Sequence, residues 1–459
     1  MSQTKKLDQQ TIVNHLKVYG FVFPCSSIYG GIANGWDFGP VGALLKKNIK
    51  DLWWREYVTR VPNAVGLDSS IILNPEVWKA SGHLTSFSDP LIDCKECHNR
   101  FRADHLIEDA TGKTIGEQTS FAEVKKIVDE NHIKCPVCGK ENWTDVRNFN
   151  LMFASHQGVI ADEKNKVYLR PETAQGIFVD FKDVLRTSRM RLPFAICQIG
   201  KAFRNEITPG NFIFRTREFE QMECEWFVRD DKGADQVFET QLAKMQSFLK
   251  NVIGLQDANV KLHEHSKDDL SHYSKRTIDI QYNFPHGFAE LWGIANRQQF
   301  DLSQHEKFSK AGIYYLEDDG TKIVPYVIEP SVGVERLFYA ICCDVYEEQQ
   351  LEKETRLVMH FKYDLAPYKV AVLPLVNKLA DQAREVFNQI IDKNISATFD
   401  VSGSIGKRYR RQDAIGTYYC VTFDYDSLND QCVTIRNRDT MQQERIKISE
   451  LINYLNNTK

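Results

Sequence analysis

The chain has 459 residues, of which 42% are hydrophobic, 26% are charged and 11% are aromatic, and its formal net charge is −4 at pH 7. This length allows two to four domains with ample cores, and the ordinary composition excludes a fibrous or disordered chain. The mildly negative balance excludes bulk attraction to nucleic acid, so any such contact needs a local basic patch.

The sequence lacks the usual marks of export and membrane insertion. Residues 1–6 (MSQTKK) are polar and precede no short apolar run with a cleavage site, and no apolar run is long enough to span a bilayer. The cysteines number eleven, which favours a reducing compartment over a disulfide framework. We therefore expect a cytoplasmic protein without a membrane segment.

The N-terminal region is predicted to begin with two helices. Apolar residues at Ile12, Val13 and Leu16 indicate a helix over residues 6–19. Pro40 is suited to open the second helix, because proline is favoured at the first helical position. A strand is predicted over residues 65–73.

Two cysteine pairs follow, Cys94-x-x-Cys97 and Cys135-x-x-Cys138. In a cytosolic chain this spacing is typical of a four-cysteine structural zinc site. Four free thiols are the alternative without a metal.

The interval between the cysteine pairs is longer than in a simple zinc ribbon. It contains a capping box, Ser120 to Glu123, that should open a helix. We therefore predict an inserted module over about residues 90–145. His98 and His105 could each replace one cysteine ligand, but bystander roles are the simpler interpretation.

The segment 170–176 (RPETAQG) opens a predicted helix. Thr173 is suited to cap it, and Glu172 precedes its first turn, where a carboxylate compensates the helix dipole. By local chemistry alone, Glu172 needs no other role.

Residues 200–225 are predicted to form two strands joined by a loop that contains Pro209, Gly210 and Asn211. Charged residues alternate along both strands, which places them on one face with Phe219. These charged residues are Arg204, Glu206, Arg215, Arg217, Glu223 and Glu225. The face is either a solvated surface with cross-strand ion pairs or a site for an anionic, planar ligand such as a nucleotide.

Two further segments carry charge at unusual places. Glu290 follows a glycine-broken, alternating strand and is predicted to lie at a strand end. Gly333 allows close approach of a ligand, and Arg336 lies in the first turn of an apolar helix. An arginine there opposes the helix dipole, and a bound triphosphate would resolve that conflict.

The last hundred residues alternate between strands and helices, which indicates a small α/β domain. A charged connector over residues 347–356 precedes it, and strands are predicted over residues 369–375, 397–401, 418–423 and 433–436. The basic run 407–411 (KRYRR) is either a solvated helix face or a site for phosphate and a stacked base.

Four of these segments resemble one enzyme family. Residues 203–206 (FRNE) with Arg215 and Phe219 resemble motif 2 of class II aminoacyl-tRNA synthetases, and residues 329–336 (EPSVGVER) resemble motif 3. Residues 170–176 (RPETAQG) and 219–223 (FEQME) resemble the dimeric bacterial type of glycyl-tRNA synthetase. The resemblance covers nearly the whole chain.

The resemblance implies an α+β fold. A class II catalytic domain built on an antiparallel sheet would span residues 1–360, with the zinc module inserted, and an α/β anticodon-binding domain would span residues 361–459. The helix from Pro40 and the strand 65–73 correspond to motif 1, which implies a homodimer. The implied activity is glycine–tRNA ligase: glycine and ATP form glycyl-adenylate, and glycine then passes to the 3′-terminal adenosine of tRNA(Gly).

The resemblance also assigns residue roles around ATP and Mg²⁺. Arg204 and Arg336 are the implied catalytic residues, and Glu290 would face the phosphates through magnesium. Phe219 would stack on adenine, and Glu206 would accept from its amine. The implied ATP-binding set is Arg204, Asn205, Glu206, Phe214, Arg215, Thr216, Arg217, Glu218, Phe219, Glu290, Leu291, Gly333, Val334, Glu335 and Arg336.

The implied glycine site reads the ammonium group with carboxylates and excludes side chains with Ser331. Its set is Arg102, Glu172, Phe219, Glu220, Gln221, Met222, Glu223, Glu329, Pro330, Ser331, Val332 and Gly333. The implied contacts to the tRNA anticodon are Lys407, Arg408, Arg410 and Arg411.

Three alternatives stay open at the sequence level. The chain could be a class II synthetase for another small amino acid, although Glu172, Gln221 and Glu223 favour glycine. It could be a paralogue that only binds tRNA or makes adenylates. It could also be a zinc-stabilised nucleic-acid adaptor, which would leave the charged hairpin unexplained.

Overall fold

The computed structural model describes residues 7–113, 115–116, 119–267, 270–271, 273–352 and 354–457. Its helices are α1 Gln9–Val18, α2 Pro40–Trp54, α3 Pro75–Ala80, α4 His83–Ser86, α5 Ala103–Thr111, α6 Phe121–Glu130, α7 Ala174–Val179, α8 Phe181–Ser188, α9 Asp231–Ser247, α10 Phe300–Ser309, α11 Val334–Val345, α12 Ala380–Ile391, α13 Ile405–Ile415, α14 Ser427–Asp430 and α15 Ile448–Asn456. Its strands are β1 Val22–Pro24, β2 Trp36–Phe38, β3 Ala64–Gly66, β4 Ile72–Leu73, β5 Ser88–Asp93, β6 Arg100–Arg102, β7 Arg147–Asn150, β8 Ala154–His156, β9 Lys166–Leu169, β10 Phe194–Phe203, β11 Glu218–Val228, β12 Val260–Glu264, β13 Arg276–Phe284, β14 Gly287–Gln298, β15 Tyr315–Leu316, β16 Lys322–Ile323, β17 Tyr326–Gly333, β18 Tyr346–Gln350, β19 Thr355–Met359, β20 Val370–Pro374, β21 Ala397–Phe399, β22 Tyr419–Phe423, β23 Cys432–Asn437 and β24 Gln443–Lys447.

A seven-stranded sheet in the order β12-β13-β14-β17-β11-β10-β3 organises the chain up to about residue 345. All neighbours are antiparallel except β3, which runs parallel to β10. Met222, Cys224 and Trp226 of β11 point to one face and join the largest apolar core, which also contains α2, α9 and α11. Gln221, Glu223 and Glu225 therefore point to the other face, since side chains alternate along a strand.

The charged hairpin differs from its prediction in one respect. β10 ends at Phe203 and β11 begins at Glu218, so Arg204, Glu206, Arg215 and Arg217 lie in the connecting segment rather than on the strands. The apolar residues 212–214 form a 3₁₀ turn, because Asn211 and Phe212 have positive φ angles of 53° and 60°. The side chains of residues 212–214 are buried in the apolar core, and these residues do not form the strand that the sequence predicted.

The N-terminal helices are found near their predicted positions. α1 begins at Gln9 with Asp8 as its cap, and Lys6 lies outside the described residues. α2 begins at Pro40 as predicted. The predicted strand 65–73 is wrong as one element: β3 joins the central sheet, whereas β4 pairs with β9.

The insertion forms a three-stranded sheet, β6-β5-β7, covered by α5 and α6. The Ser120 hydroxyl accepts a hydrogen bond from the backbone N–H of Glu123, which confirms the predicted helix start. The chain enters through β5 and leaves through β7, where Ser88 pairs with Asn150.

The C-terminal region contains a five-stranded sheet in the order β21-β20-β22-β23-β24. Parallel pairing of β20 with β21 and β22 agrees with the predicted α/β class, whereas β24 was missed. The predicted connector 347–356 is instead largely the β18–β19 hairpin. No helix among the described residues is long and apolar enough to cross a membrane.

Candidate active site

One pocket lies on the polar face of the central sheet, and we call it the main pocket. Its walls come from β11, β13, β14, β17, the start of α11 and the segment 204–217. It has an arginine end, defined by Arg204, Arg215 and Arg336, and an acid end, defined by Glu172, Glu223 and Glu329. The two sets of residues therefore line one continuous cavity, as the sequence predicts for a nucleotide beside an amino acid.

The arginine end combines guanidinium groups with aromatic rings. The Arg204 guanidinium carbon lies 5.4 Å from the Phe219 ring centroid, and Arg204 Nε donates to the Pro171 carbonyl at 3.1 Å. The Arg336 guanidinium carbon lies 4.4 Å from the Phe214 ring centroid. Planar guanidinium groups bind phosphate oxygens through two N–H donors and stack on rings, so this end suits a nucleoside phosphate.

Burial lowers the pKa of Arg215, with Arg102 and Arg336 adding to the fall and Glu206 opposing it. A site that crowds like charges in this way is stabilised by an anion. The expectation that a polyphosphate resolves the charge conflict at α11 stays a prediction.

Glu290 is the fourth of the twelve residues of β14, so it lies within the strand and its predicted place at a strand end is wrong. Its Oε2 is 2.9 Å from Arg336 Nη1. Burial alone would raise the pKa of Glu290, but Arg336 and Arg204 outweigh it, and the pKa is lowered. Asp279, which sequence reasoning missed, lines the same wall.

The acid end is organised around Glu223, which is 2% exposed. Its Oε1 accepts from Gln221 Nε2 at 2.8 Å and from Ser331 Oγ at 2.7 Å. Its Oε2 accepts from the Thr173 backbone N–H at 3.0 Å and from the Thr173 hydroxyl. The predicted capping role of the Thr173 hydroxyl is therefore wrong, because that group is directed to Glu223 instead of the helix.

Glu172 lies beside this carboxylate. Its oxygens are 3.6 Å from His83 Nε2 and 3.9 Å from Arg297 Nη2, and Oε1 accepts from Gln175 Nε2 at 2.9 Å. Burial would raise the pKa of Glu172, but His83 and Arg297 outweigh it and hold the pKa below its usual range. The capping role that local chemistry suggests is not needed to explain this environment.

Arg297 was missed by sequence reasoning. It is 2% exposed, and it contacts Asp301 through Nε at 2.7 Å and Nη2 at 2.8 Å, and Glu329 through Nη1 at 2.8 Å. Its guanidinium carbon lies 4.2 Å from the Tyr273 ring centroid. The sequence around this single arginine does not indicate a site residue, because its partners are distant in sequence and become neighbours only in the folded chain.

Several residues of the predicted sets do not line the main pocket. Leu291, Met222, Val332 and Val334 belong to the apolar core, and Pro330 is buried outside the lining. Strand alternation explains this: Gln221, Glu223, Glu329 and Ser331 line the pocket, and their immediate neighbours cannot. Phe214, Thr216, Gly333 and Glu335 do line it.

Four other predicted residues lie outside the pocket because they make contacts elsewhere. Glu220 pairs with Lys46 and Lys50, and Glu218 pairs with Lys201 at the surface. Arg217 approaches the Ala33 carbonyl at 3.4 Å, and the Asn205 backbone N–H donates to the Leu151 carbonyl at 2.8 Å.

Arg102 does not reach the acid end. It pairs with Asp89 at 3.2 Å and Asp104 at 2.6 Å, and its charge acts on Arg215 at the opposite end of the pocket. Burial raises the pKa of Asp89 to about 6, although Arg102 opposes that rise.

The four predicted cysteine ligands converge in the insertion. Their sulfur atoms all lie within 4.8 Å of one another, with Cys94 and Cys138 at 3.5 Å and Cys97 and Cys135 at 3.6 Å. Tetrahedral zinc with bonds of about 2.3 Å sets its sulfur atoms about 3.8 Å apart, so the donor set fits that ion. Asn99 Nδ2 donates to Cys97 Sγ at 3.2 Å, a hydrogen bond that stabilises the thiolate form that zinc binds.

The basic run lies on α13, and its members differ. Arg408 is 3% exposed and donates to the carbonyls of Pro374 and Gly403, so the expected RNA contact of Arg408 conflicts with its position. Arg410 pairs with Glu354 and Arg411 with Asp400 at the surface. Lys407, Arg410 and Arg411 line a second pocket with Tyr409 and Arg436.

Comparison with protein families gives three matches. The tRNA synthetase class II core domain (G, H, P, S and T) matches residues 157–346, and the anticodon binding domain matches residues 369–458. The glycyl-tRNA synthetase insertion domain 1 matches residues 89–120 and 111–151.

Curated relatives match nearly the full length. A glycine--tRNA ligase of Ureaplasma parvum serovar 3 is 60% identical over 97% of this chain and 96% of its own length. Those of Malacoplasma penetrans and Staphylococcus haemolyticus are 57% and 52% identical, each over 98% of this chain, and over 97% and 98% of their own lengths.

Proposed function

Since this chain belongs to the glycine–tRNA ligase family of class II aminoacyl-tRNA synthetases, we propose that its main pocket holds ATP at the arginine end and glycine at the acid end. The enzyme is a ligase that activates glycine with ATP and transfers it to tRNA(Gly). The observation that carries the proposal is the convergence of three arginines and three carboxylates in one cavity.

At the arginine end, Arg204 is assigned to the α-phosphate and to the carboxylate of glycine. Arg215 and Arg336 are assigned to the outer phosphates, with stacking on adenine as a second option for Arg336. Phe219 is assigned to adenine, which fits its ring beside Arg204. Glu206, which lines the same end, is assigned to the adenine amine.

Magnesium is proposed beside Glu290. Glu290 and Asp279 face each other across Gly293, where a β-carbon added to the glycine backbone would lie 3.4 Å from Asp279 Oδ1 and 3.7 Å from Glu290 Oε1. Such a pair of carboxylate oxygens fits a hard cation, which would neutralise phosphate charge when bound.

Neither chemical step needs a nucleophile from the protein. The glycine carboxylate attacks the α-phosphorus of ATP, and the ribose hydroxyl of tRNA then attacks the glycyl carbonyl. The residues contribute by holding the two substrates in line and by stabilising the charge that develops on phosphate. Arg204 belongs to the arginine end, and its Nε donates to the carbonyl of Pro171, the neighbour of Glu172, which suits it to orient the attacking carboxylate.

Selection of glycine depends on reading the ammonium group and excluding any side chain. Glu223 and Glu172 supply the negative charge, and Gln221 and Ser331 fix the orientation of Glu223. Ser331 is assigned to the wall that would face the α-carbon of glycine. An extra methyl group gains only about 1–3 kcal/mol where it fits a pocket, so rejection of alanine requires a rigid wall.

Recognition of tRNA is proposed for the C-terminal region. Lys407, Arg410 and Arg411 present donors around the second pocket, and Tyr409 offers a ring. Basic groups interleaved with an aromatic suit a single-stranded loop. Arg408 supports the backbone of the same helix rather than the RNA.

Zinc is proposed as a structural ion held by Cys94, Cys97, Cys135 and Cys138. Its bonds would fix the two cysteine turns against each other and stabilise the small core of the insertion. A homodimer through α2 and β3, a cytoplasmic location and a domain boundary at 360/361 complete the proposal. A reducing compartment, in which four cysteines can serve as thiolate ligands, suits the cytoplasmic location.

Amino-acid-dependent exchange of pyrophosphate into ATP, run with and without tRNA, tests the function. Glycine should support exchange and alanine should not, and tRNA(Gly) should become charged. Exchange with a different amino acid would transfer the assignment to another synthetase, and exchange without charging would favour the paralogue. Light scattering at micromolar concentration tests the dimer, and a monomeric mass would contradict it.

A further inference from the structure

A pair of carboxylates lies at the base of the acid end. The strand register that pairs Glu223 with Ser331 and Trp226 with Ile328 sets Glu225 opposite Glu329 on adjacent strands. We propose that this pair holds a proton while the pocket is empty and releases it to solvent when the ammonium group of glycine binds. The inference rests on the proposed glycine site. It adds a role for Glu225, which is not part of that site.

Two glutamates on the same face of β11 differ in their hydrogen bonding. Glu223 accepts four hydrogen bonds, and those from Thr173 and Ser331 oppose the rise in its pKa that burial and Glu172 cause. Glu225 is 0% exposed, and neither of its oxygens has a hydrogen-bond partner among the described residues. A dry carboxylate without donors is stable only in its neutral form, so Glu225 carries a proton.

The charge of Glu329 is not fully neutralised by its arginine partner. It lines the pocket and contacts Arg297, but Arg297 also contacts Asp301 through two nitrogen atoms, so one guanidinium serves two carboxylates. Burial raises the pKa of Glu329 to about 8, against the opposing effect of Arg297. Burial and the neighbouring Glu329 raise the pKa of Glu225 well above its usual range.

The charged and titratable groups around the pair come from every element packed against it. They are three acids, Glu223 on β11, Asp301 on α10 and Glu172 before α7, and three bases, Arg297 on β14, His305 on α10 and His83 on α4. Together with Glu225 and Glu329, five acids therefore face three bases. The empty cluster is therefore short of positive charge. An ammonium group supplies one positive charge at the place where a proton would otherwise be held.

The sign of the pH effect follows from this exchange. Because the pKa of Glu225 is raised well above its usual range and that of Glu329 to about 8, the pair keeps its proton in the empty pocket near neutral pH, and glycine binding must displace it. Glycine binding should therefore strengthen as pH rises from 6 to 8, by up to about tenfold per pH unit for one proton. Binding of ATP at the arginine end should not follow the same dependence.

Titration calorimetry on the full-length protein with glycine as the probe measures the released proton. Heats collected at pH 7 in buffers with different ionisation enthalpies give the number of protons released, and we expect a value close to one. In the Glu225→Gln variant, an amide that cannot titrate replaces the carboxyl group that holds the proton, so glycine binding has no proton to displace. Its proton release should fall close to zero, and the pH dependence of its KM for glycine should flatten.

Glu163→Gln is the matched control, because Glu163 is an exposed surface glutamate that contacts only Lys166 among the described residues. It should release the same number of protons as the wild type. Proton release near zero in the wild type would overturn the inference, and so would unchanged release in Glu225→Gln, which would identify the ammonium group itself as the source. Failure of glycine to bind or to support exchange would instead contradict the proposed function.

Discussion

Replacing Lys46 with methionine should destabilise the catalytic region. Lys46 is 8% exposed on α2, and its Nζ lies 2.5 Å from Glu335 Oε1 and 2.7 Å from Glu220 Oε2. Burial lowers the pKa of Lys46, but Glu335 and Glu220 outweigh it and the pKa is raised. This stabilisation is complete below the unfolded pKa and is lost only as pH rises through the folded pKa, so a measurement at pH 7.5 detects all of it.

The expected magnitude follows from what each partner retains. Removing one member of a buried pair costs about 3–5 kcal/mol, since the other charge stays uncompensated. Glu220 keeps Lys50 at 3.0 Å, so Glu335 is the group left without a cation. We therefore expect a loss near the lower limit, about 3 kcal/mol.

Urea unfolding followed by tryptophan fluorescence measures this change. Trp53 and Trp292 are fully buried in the same core as α2. With a slope of about 3 kcal/mol per molar, the midpoint should fall by about 1 M. KM for ATP should rise as well, because Glu335 Oε2 also accepts from the Glu220 backbone N–H beside Phe219.

The double variant Lys46→Met with Glu335→Gln separates charge from packing. Replacing a buried ion pair by neutral groups of similar size is often close to neutral, so its loss should stay below about 1 kcal/mol. A double variant as unstable as the single one would refute the reasoning, and so would a single variant that unfolds at the wild-type midpoint.

Three further predictions concern the other sites. Glu223→Gln should raise KM for glycine by about tenfold or more, because a charge-assisted partner worth about 1.5–3 kcal/mol is lost, and equal effects on KM for ATP would contradict this. Cys135→Ser should reduce zinc, measured by atomic emission, from one ion per chain to a small fraction, and a metal-free wild type would contradict the site. Arg408→Ala should lower the free energy of unfolding by about 1–3 kcal/mol, since two buried carbonyls lose their donor. Lys407→Ala should instead weaken tRNA binding and leave the melting temperature unchanged. The reverse pattern would contradict both assignments.

The class II core and the anticodon-binding domain were predicted from the sequence and are confirmed. The prediction worked best where local periodicity and the site share one element. Alternation along β11 and β17 correctly brings Gln221, Glu223 and Ser331 to one cavity, because a strand turns every second side chain to the same face. The roles of these residues stay predictions.

The prediction failed where distant contacts decide local structure. Residues 212–214 are apolar enough for a strand, yet they form a turn because Phe212 packs against Trp36, with ring centroids 4.7 Å apart. Arg297 was missed because Glu329, 32 residues away, becomes its partner only through the β14–β17 pairing. Arg408 was misjudged because a run of basic residues does not reveal which one faces inward.

The way the insertion joins the core makes it separable in principle. Ser88 and Asn150 are paired on adjacent strands, so the two ends of the insertion lie about 5 Å apart. A two-residue turn spans such a gap between antiparallel strands, and excision would leave the strand order of the central seven-stranded sheet intact. The Arg102–Asp89 ion pair lies within the insertion itself, and the charge of Arg102 lowers the pKa of Arg215 in the wall of the main pocket. Excision would therefore keep the central sheet but change the electrostatic environment of Arg215.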